Sequence, residues 1–200
     1  MNFFIGIDPS INSTGVTILK YDENNLIDKY FFIIKPNKLT KKEEKISIKN
    51  FEYILYDKID ISIYKDINNH FSEYYKTINM ITISETIFNL IDKYTNKDDQ
   101  IYISMEGISY GSSLKTKSIF DLAGLNYLIR YHVIKSGHMN LTICPPQEIK
   151  KFASGKGNSN KDILINSFVV IYPEFNQIPK IDDLVDSYYM ANYAYENYKL

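Results

Sequence analysis

The chain has 200 residues, of which 44% are hydrophobic and 24% charged, and its formal net charge is −1. This length predicts one domain with a sizeable core, and this composition excludes a disordered, collagen-like or disulfide-stapled protein. The one cysteine, Cys144, can form neither an internal disulfide nor a cysteine-based zinc site, so we expect an intracellular, reducing compartment. Neither an export signal nor a membrane span is indicated.

The first half of the chain predicts three strands. Residues 3–8, 14–21 and 27–34 are rich in strand-forming side chains, and turn residues separate them, which indicates an antiparallel meander. The polar, lysine-rich segment 36–50 predicts an exposed loop.

The rest of the chain predicts helices that alternate with two further strands. Apolar residues have helical spacing over about 69–94 and again over 119–133, and short buried-type strands are expected at 101–105 and 141–144. Two short helices are expected near 147–153 and 161–169, and a last one over about 182–198. The order predicts a mixed five-stranded sheet flanked by helices.

Four carboxylates stand at the ends of these elements: Asp8, Glu106, Asp183 and Asp186. Asp183 and Asp186 are three residues apart, share one helical face and could lean over the sheet edge where the other two emerge. A cluster of like charges is tolerated when a hard cation neutralises it, so we expect two Mg²⁺ or Mn²⁺ ions, bridged by Asp8, for phosphodiester chemistry. Taken singly, Asp8 could start a turn, and the helical acids could stabilise a helix N-terminus.

A cationic segment follows the fifth predicted strand. It carries four lysines and no acid: Lys150, Lys151, Lys156 and Lys161. Two glycines between them would let the backbone approach phosphates, although a solvated lysine-rich loop has the same composition. The Walker pattern is not met, so no nucleotide cofactor is expected.

Four blocks of this sequence together resemble the RuvC family of Holliday junction resolvases. They are Gly6-Ile7-Asp8-Pro9-Ser10 with Thr14-Gly15, Met105-Glu106-Gly107, the 146–161 stretch with Gly155-Lys156-Gly157-Asn158 and Lys161, and Asp182-Asp183-Leu184-Val185-Asp186-Ser187. The blocks come in the family's order and span nearly the whole chain.

This resemblance implies an RNase H-like fold and a Mg²⁺-dependent homodimer that nicks two opposed strands of a four-way DNA junction. It assigns the catalytic and metal-binding roles to the four carboxylates, with Asp182 as a helix cap beside them. It places Lys150 and Lys161 near the DNA backbone, and we expect Lys161 to lie nearest the scissile phosphate and to be a catalytic residue. Lys151 and Lys156 are expected to contact further phosphates.

The chain departs from the bacterial pattern in two places. The region 36–68 is longer than the bacterial connection, which predicts a variable insertion within the single domain. In this it resembles viral and phage relatives, which implies the cytoplasm of a bacterial or virus-infected host cell. After Glu106 the aromatic residue is displaced by one position, to Tyr110. Tyr110 could stack on DNA or lie half-buried in its loop.

The helix after Glu106 is expected to form the dimer interface, as the family's dimers bury this helix pair. Its candidate residues are Ala123, Gly124, Tyr127 and Leu128. Gly124 weakens the helix relative to alanine, which suggests a close packing contact, either with a partner helix or with this chain's own sheet.

Three other classes of protein share parts of this sequence pattern. A nuclease that cuts flaps or other branched DNA would use the same metal site, and a dimer that binds junctions without cutting them would not need the acids. A sugar kinase or actin-like ATPase needs a second similar domain, for which 200 residues leave no room.

Overall fold

The computed structural model describes residues 1–60, 62, 69–108, 116–137 and 139–198. Its strands are β1 (Asn2–Asp8), β2 (Thr14–Asp22), β3 (Asn25–Pro36), β4 (Phe51–Tyr56), β5 (Gln100–Glu106) and β6 (Met139–Cys144). Its α-helices are α1 (Asn69–Tyr94), α2 (Thr116–Ser136), α3 (Pro146–Ser154), α4 (Lys161–Ile171) and α5 (Asp182–Tyr198). No helix in these ranges is both long and apolar enough to cross a bilayer.

The strands form one mixed sheet in the order β4-β3-β2-β1-β5-β6. The first three strands are antiparallel neighbours, which confirms the predicted meander. β5 lies parallel to β1, and β6 lies parallel to β5. Because β1 and β5 run in the same direction side by side, their carboxyl ends meet at one edge of the sheet.

The prediction of five strands is wrong, since β4 is a sixth. It lies parallel to β3 at the edge of the sheet, inside the region predicted as an insertion. Its Glu52 and Leu55 are exposed, so the segment has neither the alternation nor the continuous apolar run of a recognisable strand. The preceding segment is not a wholly exposed loop either, because Glu43 is buried and forms an ion pair of 2.5 Å with Lys35.

The side chains of β1 alternate between the two faces of the sheet. Phe3, Ile5 and Ile7 belong to the core that α1 and α2 cover. Phe4 packs on the opposite face, in a cluster with residues of α5, and Gly6 and Asp8 lie on that same face by the period of two. The first carboxylate of the sequence therefore emerges at the strand's carboxyl end, beneath α5.

Candidate active site

Helix α5 lies directly on the backbone of the sheet because two positions beneath it are glycines. A Cβ atom at Gly6 would overlap the carbonyl oxygen of Ser187 and come within 2.5 Å of the Ala191 nitrogen. A Cβ atom at Gly15 would overlap the carbonyl oxygen of Asp183. Beside them, the buried hydroxyls of Thr17 and Ser187 form a hydrogen bond of 2.9 Å. These contacts fix the N-terminal turns of α5 over the end of β1.

The close packing of α5 on the sheet brings all four predicted carboxylates into one cleft of about 250 Å³. Asp8 comes from the end of β1 and Glu106 from the end of the adjacent β5. Asp183 and Asp186 come from the first turns of α5. Asp8 and Glu106 line this cleft together, and the charge of Glu106 acts on the Asp8 carboxyl group. The cleft therefore collects carboxylates from three elements that are distant in sequence.

Burial and mutual repulsion make these carboxyls hard to ionise. Burial, followed by the charges of Glu106, Asp186 and Asp183, raises the pKa of Asp8 well above its usual value. Burial and then the Asp186 charge raise the pKa of Glu106 to about 6. Asp183, chiefly through burial, also reaches a pKa of about 6, and the pKa of Asp186 is raised for the same reason. The cluster is short of positive charge.

Lys161, the first residue of α4, supplies part of that charge. Its Nζ lies 3.1 Å from Asp182 Oδ2 and 3.8 Å from Asp186 Oδ2. Burial alone would lower the pKa of Lys161, but the neighbouring carboxylates outweigh this effect and raise it. Lys150, on α3, also lines the cleft. Asp182, expected as a helix cap, instead pairs with Lys161.

The donor set of the cleft suits a hard divalent cation. Carboxylate oxygens are the ligands that Mg²⁺ and Mn²⁺ prefer, and a cation would favour the ionised carboxylates, whose pKa values burial and neighbouring charges raise. In the described ranges, however, no three His, Cys, Asp or Glu side chains are already arranged to hold one metal ion. The Lys161 ammonium lies 3.8 Å from Asp186 Oδ2, so a cation would compete with this lysine for the carboxylate and the side chains would rotate to receive it.

Two of the lysines predicted to contact DNA lie outside the cleft. Lys151, at the exposed end of α3, and Lys156, in the turn before α4, do not line it. That turn begins at Gly155, which adopts a left-handed conformation with φ 78° and ends α3. The cationic segment is therefore two helices joined by a short turn. Tyr110 lies outside the described residues.

The candidate dimer residues of α2 point in different directions. Tyr127 is exposed, while Ala123 and Leu128 are half-buried. A Cβ atom at Gly124 would meet Met80 Sδ of α1 at 3.1 Å. The close packing at Gly124 is therefore made within the chain, against α1 and not against the sheet.

The sequence motifs indicate no role for the four residues that let α5 pack closely on the sheet. They are Gly6, Gly15, Thr17 and Ser187. Three of them stand in the quoted motif blocks, where Gly6 precedes Asp8 by two positions and Ser187 directly follows Asp186. What the sequence does not reveal is that these small residues face one another across the sheet and the helix.

The raised pKa values predict an unusual pH dependence of stability. Without metal, the folded state binds more protons than the unfolded state between about pH 4 and 6, so stability falls as pH rises through this window. We expect the Tm of EDTA-treated protein to be about 5 °C higher at pH 5 than at pH 7.5. Thermal unfolding followed by circular dichroism measures this.

Two variants locate the origin of this effect. Asp186→Asn should reduce the difference in Tm, whereas Glu85→Gln, which alters an exposed acid of α1, should leave it unchanged. A Tm that is equal at both pH values, or lower at pH 5, would contradict the electrostatic account of the cleft.

Solved structures of other proteins have a fold similar to that of this chain. No family model matches the chain, and no curated protein does. Among solved structures, Thermus thermophilus RuvC aligns with a TM-score of 0.55 and 11% identity over 96% of this chain and 94% of that one. T. thermophilus RuvC in complex with a Holliday junction substrate gives 0.56 and 10%, over 98% and 96%. The yeast mitochondrial Holliday junction resolvase Ydc2 gives 0.51 and 15%, over 98% and 80%. The chain therefore has the RuvC-type, RNase H-like fold that its sequence predicts.

Proposed function

We propose that this protein is a structure-specific endodeoxyribonuclease that resolves four-way DNA junctions by paired, metal-dependent hydrolysis. One observation carries the proposal: four carboxylates and two lysines line a single cleft at the carboxyl edge of β1 and β5. The fold that holds this cleft is shared with RuvC and with a yeast mitochondrial Holliday junction resolvase. One of them was solved with a junction substrate.

Asp8, Glu106, Asp183 and Asp186 would hold the metal, which we propose to be two Mg²⁺ ions, with Mn²⁺ as a substitute. When bound, such ions activate an attacking water and stabilise the leaving 3′-oxygen of an in-line displacement. Asp8, which is 7% exposed and flanked by the other acids, would be the central ligand of this site. The raised pKa values imply that metal binding releases protons.

The lysines of the cleft would receive the DNA backbone. The Lys161 ammonium, 3.1 Å from Asp182 Oδ2 and 3.8 Å from Asp186 Oδ2, would meet a backbone phosphate at the cleft, and Lys150 flanks the same opening. Lys151 and Lys156 extend positive charge along the surface beyond the cleft. Contacts of this kind release counterions, so junction binding should weaken steeply as salt concentration rises.

A cleavage assay with three substrates tests the proposal. Purified protein and Mg²⁺ are incubated with a synthetic four-way junction, a flap and a linear duplex. We expect symmetric nicks in the junction whose ends a ligase can seal, and no cutting of the duplex. Preferential cutting of the flap would indicate the related nuclease instead, and junction binding without any cutting would indicate a binding protein.

We further propose a homodimer, since two symmetric nicks need two active sites related by a two-fold axis. Helix α2 carries a stripe of large apolar side chains, each more than half exposed: Phe120, Tyr127, Tyr131 and Ile134. A stripe at helical spacing on an otherwise packed helix is suited to a second copy of the same helix. This surface includes Tyr127 of the predicted interface but not Gly124.

Charged substitutions in the stripe are expected to give a folded monomer. Tyr127→Asp combined with Ile134→Asp places two acids on the proposed interface without touching the core. Sedimentation at micromolar concentration should then report a monomer, and junctions should receive single, unpaired nicks. Val170→Asp, on the exposed face of α4, is the matched control and should remain dimeric. A wild-type protein that sediments as a monomer would refute the interface.

A further inference from the structure

We infer that Asn126 is a positioning residue that holds Glu106 in the metal-binding cleft, an inference that rests on the proposed function. Asn126 belongs to α2 and is 2% exposed. Its Nδ2 donates a hydrogen bond of 2.9 Å to the backbone carbonyl oxygen of Glu106. A side chain on the helix that packs over the other face of the sheet thus reaches the residue at the end of β5.

The hydrogen bond from Asn126 to Glu106 lies just beyond the point where β5 stops pairing with β1. Pairing between β1 and β5 ends at Ile7 and Met105, one row before Glu106. On its other side β5 is still held, because the Gly107 nitrogen donates 2.8 Å to the Cys144 carbonyl oxygen of β6. The main chain of Glu106 is therefore clamped between β6 and Asn126.

Within the described part of the chain, only one end of the Asn126 amide forms a hydrogen bond. Its Oδ1 is buried and has no partner among these residues, which is unfavourable for a polar atom away from water. By contrast Asn79, a similarly buried asparagine of α1, uses both ends of its amide on the backbone of Ile59, at 2.9 and 3.1 Å. An apolar side chain would remove the unpaired oxygen of Asn126, so what the asparagine adds is its donor to Glu106.

The orientation of Glu106 depends on this clamp. Its carboxyl group must face Asp8 and Asp186 at the edge of the sheet, and its backbone direction is fixed by its last hydrogen bonds. Residues that form hydrogen bonds to a metal ligand and orient it typically influence metal affinity or activity by about 10- to 100-fold. Loss of the Asn126 donor should therefore weaken metal binding more than DNA binding.

Two variants of Asn126 separate positioning from general stability. Asn126→Ala removes the side chain, and Asn126→Leu removes the donor but retains bulk. Asn79→Ala is the matched control, since it removes a buried asparagine that holds a different backbone segment. Mn²⁺ affinity is measured by titration calorimetry without DNA, junction affinity in EDTA, and cleavage rate as a function of Mn²⁺ concentration.

Both Asn126 variants should bind Mn²⁺ about 10-fold more weakly and need more Mn²⁺ for half-maximal cleavage, with junction affinity unchanged. Asn79→Ala should lower Tm and leave Mn²⁺ affinity at the wild-type value. If wild type binds Mn²⁺ but does not cut junctions, a weakened Mn²⁺ affinity in the variants still supports the positioning role while the proposed function fails. Wild-type Mn²⁺ affinity in both variants, an equal loss in Asn79→Ala, or no Mn²⁺ binding by wild type overturns the inference.

Discussion

Replacing Asp8 by asparagine is expected to lower the rate of junction cleavage by about 10³-fold or more, while junction affinity in EDTA stays within about threefold of wild type. The carboxylate lies beneath α5 among the other three acids, so the change removes a charged metal ligand from the centre of the cleft. The lysines that would bind phosphates are untouched. Cleavage is measured by single-turnover kinetics and affinity by electrophoretic mobility shift.

The same substitution should stabilise the metal-free protein. Asp8 is buried and its pKa is raised because its ionised form is unfavourable in the fold. Asparagine keeps the shape of the side chain and removes the repulsion, so the free energy of unfolding in EDTA should increase by about 1 kcal/mol or more at pH 7.5. A loss of activity that accompanies higher stability cannot be attributed to misfolding.

The matched control is Asp22→Asn, an exposed acid at the far end of the β2–β3 hairpin. It should have wild-type cleavage and wild-type stability. Cleavage by Asp8→Asn at the wild-type rate with Mg²⁺ would show that the cleft is not the site of chemistry.

The meeting of the four acids could be anticipated from sequence because it depends on local patterns. Asp8 and Glu106 each end an apolar strand, and parallel neighbours bring such ends together. A spacing of three places Asp183 and Asp186 on one side of a helix. The strand and helix periods that set these positions are the strongest signals a sequence carries.

The features that escaped prediction depend on contacts between distant segments. The exposed edge strand β4 has little apolar alternation, so its pairing with β3 decides its structure. The orientation of Gly124 toward Met80 depends on how α1 and α2 pack, which a helical repeat alone does not determine. The bond from Asn126 to Glu106 joins two elements across the sheet, and no residue pattern near either one indicates it.

Among the described glycines, Gly6 leaves the least room for a Cβ atom, so its substitution is expected to have a large effect on stability. Gly6→Ala places a methyl group against the backbone of α5, where the Ser187 carbonyl oxygen and the Ala191 nitrogen leave no space. Backbone atoms cannot rotate aside as a side chain can, so α5 must shift as a unit. The shift would break the buried hydrogen bond between Thr17 and Ser187. We expect a loss of about 3 kcal/mol or more in the free energy of unfolding, at the upper end of what overpacking produces.

Cleavage should fall together with stability in this variant, because the helix that must shift carries Asp183 and Asp186. Urea denaturation gives the loss of stability, and Mn²⁺ titration of the folded fraction at low temperature gives the loss of metal affinity. Gly124→Ala is the matched control: its new methyl group meets only the flexible Met80 side chain, and its stability should change by less than about 1 kcal/mol. Equal stability of Gly6→Ala and wild type would mean that α5 does not rest on the backbone of β1, and the convergence of the four acids would lose its structural basis.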